Sequence, residues 1–167
     1  MGIVRGIAGV IVGYIATIIV VFTGFTVLWM VMKAEGAFKT ESWEVTTNWV
    51  IAGMVIGLVG ALVGGIVCKL VAANSIAPKA FAGIVLVLGL LTAVATGAAY
   101  AAADEDGESD KAAFPAADVS MVDAMTNAEQ PPLALWTNPF IGAVGILIGA
   151  SLVGRKSGAA PMPASDG

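Results

Sequence analysis

Side chains able to move protons, hold metals or attack electrophiles are few in this sequence, and most of them sit together. There is no histidine, which removes the commonest metal and haem ligand and the usual base near neutral pH. Asp104, Glu105, Asp106, Glu108 and Asp110 form an acidic run, and Asp118, Asp123 and Glu129 follow it. A calcium loop of the EF-hand type needs acids at positions one, three and five with glycine at six, but Gly107 follows Asp106 at once. The expectation is a solvated charge run. An enzyme site built on Asp118, Asp123 and Glu129 would need convergent partners that the sequence does not supply.

The remaining candidates are uncharged. Cys68 is the single cysteine and reads as a small packed residue. Thr17, Thr23, Thr26, Thr92 and Thr96 lie in apolar surroundings, where threonine hydroxyls bond back to their own helix carbonyls. Asn138, beside Pro139, is expected to cap a helix or sit at an interface. No phosphate-cradling glycine loop, nucleophile elbow, zinc pattern or myristoylation signal is present; Gly6 occupies the position where the last would want Ser or Thr. These readings point to a protein that is not an enzyme, with no catalytic residue, no metal site and no cofactor predicted. A lipid, quinone or pigment held by apolar contacts stays open. A net charge of −4 without a basic cluster speaks against nucleic acid as a partner.

The elements that position these residues are set by hydrophobicity. Hydrophobic residues make up 58% of the 167, and charged ones 12%, about half the share of an ordinary soluble domain. Four stretches carry no ionisable side chain: Gly6 to Met32, Val45 to Cys68, Ala80 to Ala103 and Leu133 to Gly154. Each reaches the roughly 20 residues that cross a bilayer. The first is too long for a signal-peptide core and is followed by Lys33, Ala34, Glu35 and Gly36, a poor cleavage site. The sequence therefore predicts an all-α integral membrane protein in which residues 1–154 form a single domain of four transmembrane helices, at about 6–32, 45–70, 79–103 and 133–154. A short first outer loop and a longer acidic outer loop, the cap at 104–132, join them, and a disordered cytoplasmic tail covers 155–167.

Orientation follows from the basic residues. With the N-terminus inside, Arg5, Lys69, Lys79, Arg155 and Lys156 face one acid, Asp166, while eleven acids lie outside with Lys33, Lys39 and Lys111. The positive-inside rule favours N-in, C-in, and the expected location is the bacterial inner (cytoplasmic) membrane. Trp29, Trp43, Trp49, Trp136 and Tyr100 all fall on the outer side as interface anchors. Thr40 or Ser42 is expected to cap the second helix. Asn74 and Ser75 make a tight inner turn before Pro78, and Ser120 with Asp123 should cap a short helix in the cap.

Glycine spacing is the strongest signal inside the apolar stretches. Gly6, Gly9 and Gly13 in the first helix, Gly53, Gly57, Gly60 and Gly64 in the second, and Gly145 and Gly149 in the fourth recur three or four apart, which aligns small residues on one face for close helix contact. The runs from Gly60 to Gly64 and from Gly149 to Gly154 resemble each other, which suggests two parallel hairpins. The function expected is a non-catalytic membrane subunit or scaffold, packed against the lipid bilayer, other membrane subunits or copies of itself, with the acidic loop as a docking surface. The alternative is a small uncoupled channel or facilitator.

Overall fold

The computed structural model describes residues 2–40, 42–105 and 119–153. Five helices follow one another: α1 Gly2–Ala37, α2 Thr47–Ala72, α3 Ile76–Glu105, α4 Met121–Asn127 and α5 Pro132–Val153. All except the short α4 are long and apolar enough to cross a membrane. Large aliphatic side chains coat the outside of the bundle, among them Ile7, Ile19, Val87, Leu91 and Leu133. Such a surface is unfavourable in water and ordinary against acyl chains, so the architecture is that of a helical membrane protein. The acidic residues from Asp106 to Asp118, and the segment from Gly154 onward, lie outside the described residues.

α1 and α3 outrun their uncharged stretches at both ends, and α2 starts later, at Thr47, and runs on past Cys68 to Ala72; capping, not charge, sets several of these ends. Asn74 Oδ1 accepts the Ile76 and Ala77 amides at 3.0 and 2.8 Å, which starts α3 before Pro78. Ala73 closes α2 in the left-handed conformation (φ 52°) with its amide on the Lys69 carbonyl. Pro132 opens α5, where a missing N–H costs nothing, and the Pro131 carbonyl accepts from Ala134. Asn138 consequently lies well inside α5 and does not cap it.

At the opposite end from the Ala73–Ser75 turn, the chain builds a small cap. Lys33 takes a left-handed φ of 51° and divides α1 into two helical segments, so that Ala34–Ala37 lead into a tight turn. Phe38 and Val45 pair antiparallel, and Glu44 bridges to Glu129 just after α4. The Glu129 amide donates to the Trp43 carbonyl at 2.9 Å, which ties α4 to the α1–α2 connection. This pairing occupies residues 38–45, so neither Thr40 nor Ser42 can cap α2. Thr46 does so: its hydroxyl donates to the Gly36 carbonyl at 2.7 Å and accepts the Trp49 amide at 3.3 Å. Thr46→Ala is expected to cost about 1 to 2 kcal/mol, measurable as a lower unfolding midpoint in detergent, with Thr46→Ser restoring most of it.

Candidate functional site

Glycine spacing predicts close helix contacts, and the surroundings of these glycines differ one by one. α1 and α2 run antiparallel in a register of matched steps. A methyl group at Gly9 would lie 2.7 Å from the Ala72 methyl, one at Gly13 would lie 2.8 Å from Cys68 Cβ, and one at Gly60 would lie 2.6 Å from Val21 Cγ2. At Gly64 it would overlap the Thr17 hydroxyl, which itself donates to the Gly13 carbonyl at 3.0 Å. A methyl group at Gly53 would lie 3.1 Å from Phe25 Cζ. The glycines of each helix thus let side chains or backbone of the other approach closely, which is how dispersion drives helix association where no water is displaced.

α2 and α5 run parallel, in register at Ala61 with Gly145, where a methyl on the glycine would lie 2.8 Å from the Ala61 methyl. Gly149 abuts the Leu62 carbonyl, and Gly65 abuts the Ile146 carbonyl in return. α3 lies antiparallel to α5 through Gly89, where a methyl group would lie 2.8 Å from the Pro139 ring. Pro139 sits inside α5 without an amide to donate, and it is buried against that glycine. Gly6 and Gly57 behave differently from the other seven candidates. Only the Asn74 amide nitrogen, at 3.6 Å, would touch a methyl at Gly6, and nothing lies within 4 Å of one at Gly57. The matching runs in α2 and α5 are also put to different uses: Gly60 faces its hairpin partner α1, whereas Gly149 faces the other hairpin.

Three of the five aromatic anchors, Trp29, Trp43 and Trp49, converge at the cap. Trp29 stands edge-on to Trp49 at 6.0 Å and to Phe38 at 6.4 Å, and Phe38 is edge-on to Trp43 at 5.5 Å. Trp43 is buried with Ala37, Val45 and Ala124, Trp136 stands exposed on α5, and Tyr100 lies near α4, its hydroxyl accepting the Gln130 amide at 3.4 Å.

Below α4 the helices part and leave three adjoining cavities. One, of about 480 Å³, has Ile18, Phe22, Phe25, Trp29 and Trp49 along its wall and α4 above it. A second, about 600 Å³, lies between α3 and α5 with Thr92, Thr96, Tyr100 and Asn138 on its lining. The third, about 330 Å³, separates α2 from α5 beside Gly53, Gly57 and Asn138. Gln130 lines all three. Asn138 and Thr92 were visible in the sequence as polar residues of apolar helices. Gln130, Gly65 and Gly89 give no such signal: Gln130 carries no motif, Gly89 has no glycine three or four residues away, and Gly65 is masked by its position next to Gly64.

Among the described residues no cluster of metal-ligating side chains occurs. What the fold and cavity define is a class: a helical membrane protein of four long helices whose interior opens beneath a short cap helix. Comparison with protein-family models, curated proteins and solved structures gives no match for this chain, so the geometry itself carries the functional reading.

Proposed function

We propose that the chain is a non-catalytic multi-pass membrane subunit that receives a helix of another membrane protein, or of a second copy, in the groove between α1 and α3 at the turn end. The observation that carries this reading is the pair Gly2 and Gly6. They are four apart, as in a close-contact face, yet they are the part of α1's glycine series that α2 leaves open: a methyl at Gly2 would meet nothing within 4 Å. Both line a groove of about 1060 Å³ whose other walls, apart from Asn74, are aliphatic, including Ile7, Ile11 and Ile84. A helix laid there gains dispersion contacts that loosely packed lipid tails do not match.

In the same reading both termini are cytoplasmic, the membrane is the bacterial inner membrane, and the acidic stretch from Asp104 to Asp110 is an external docking surface. The channel alternative is less favoured, because Gly13, Gly60 and Gly64, which it would place along a pore, are filled by side chains of the neighbouring helix. Purification from native membranes in mild detergent is expected to yield a complex. Gly6→Leu should reduce recovery of the partner at least tenfold while leaving the unfolding midpoint of the chain unchanged. A wild-type chain that emerges as a lone monomer counts against the proposal.

A further inference from the structure

We infer that the cavities beneath α4 hold a neutral lipid, with carbonyl or hydroxyl oxygens at its head and a tail lying along the aromatic wall of α1. This does not rest on the docking reading, which concerns the other end of the bundle. The first observation is Asn138. It is the seventh residue of α5, nearly two turns inside an apolar helix, and it is exposed toward two of the cavities. Among the described residues its carboxamide takes part in no hydrogen bond. A polar group at this depth is costly unless something satisfies it, and Gln130 brings a second exposed carboxamide to the same junction. Each offers both a donor and an acceptor, a pair suited to oxygens of a ligand head.

The second observation is the wall. Phe25 and Trp49 are shared by the 480 and 330 Å³ cavities, which lie within the roughly 300 to 1,000 Å³ typical of ligand sites. Ile18 and Phe22, at the rim, are 47% and 60% exposed on the lipid-facing side of α1, so a chain already in the bilayer can enter sideways. The third observation is charge. No carboxylate, amine or guanidinium occurs among the described lining residues of the three cavities, so an ionised head would be desolvated without a counter-ion. The lining selects a neutral one.

The test uses the full chain in mild detergent with three probes: decylubiquinone, dioctanoylglycerol and dioctanoylphosphatidylglycerol. Saturable quenching of tryptophan fluorescence by the quinone, or a saturable rise in unfolding midpoint with the glyceride, is expected, and whichever occurs names the source of the carbonyl head. Gly57→Leu projects into the α2–α5 cavity, where a glycine Cβ would meet nothing. It should weaken binding at least tenfold without changing the midpoint of the ligand-free protein. Asn138→Leu removes the carboxamide and should weaken binding by a similar factor, which keeps the test valid if Gly57→Leu disturbs packing. The inference is overturned if neither neutral probe saturates, if the anionic lipid binds as tightly as they do, or if Asn138→Leu binds like wild type.

Discussion

Gly149→Val is expected to keep the two hairpins from closing on each other. A Cβ at this position would overlap the Leu62 carbonyl and lie 3.0 Å from Leu62 Cα. Main-chain atoms of a helix cannot swing aside as a side-chain tip can. Leu62 has little room to retreat, because α2 is clamped from its other side at Gly60 and Gly64 by Val21 and Thr17. Overpacking of this kind costs about 3 kcal/mol, a large part of the roughly 5 to 15 kcal/mol that separates a folded protein from its unfolded state. A lowered unfolding midpoint in detergent checks it. Gly83→Val is the matched control, since Gly83 is exposed on α3 and nothing lies within 4 Å of its Cβ; a change of about 0.5 kcal/mol or less is expected there. Equal midpoints for the Gly149 and Gly83 variants would mean that α2 and α5 do not meet at Leu62.

Phe81→Ala should loosen the junction of α1, α2 and α3. The Phe81 side chain is fully buried, stands edge-on to Tyr14 at 6.4 Å, and places Cε1 3.3 Å from where a methyl at Gly64 would be. It packs in one cluster with Cys68 and Ile146. Removing a buried ring costs about 3 kcal/mol or more in soluble cores; in lipid, lost dispersion and the residual cavity carry that cost. Cys68 is the only thiol and is wholly enclosed, so it reports the opening directly. A membrane-permeant maleimide should label the native protein slowly and the Phe81 variant at least tenfold faster, tenfold being the equivalent of about 1.4 kcal/mol. Unchanged labelling would place the stability of this junction elsewhere.

The long helices are legible in the sequence because a bilayer imposes a one-dimensional condition, about 20 residues without charge. Their ends are less so. Residues 38–45 look like a helix approach with a cap at Thr40 or Ser42, but a partner more than eighty residues away, Glu129, draws them into a bridge. The helix at Met121 is legible because its signal is local: Ser120 accepts the Asp123 amide at 3.1 Å. Glycine spacing indicates close faces but not which neighbour each meets. Gly57 shares the spacing of Gly53 and Gly60, yet nothing lies within 4 Å of where its methyl would be, because it faces the space between α2 and α5. The cavity itself is assembled from Phe25, Gln130 and Asn138, three residues that share no local pattern and become neighbours only when the bundle is complete.

The parallel pairing of α2 with α5 has a consequence for how the protein is made. The α1–α2 hairpin can zip up as soon as Ala72 is in the membrane, since its partners are adjacent in the chain. The other side of α2, with Ala61, Leu62 and Gly65, must wait for a helix that begins sixty residues after α2 ends. Throughout that interval a small-residue face stands unoccupied in the bilayer, open to any passing helix. Insertion of α5 therefore closes this face, and a chain stalled before Gly149 would still display it to other helices.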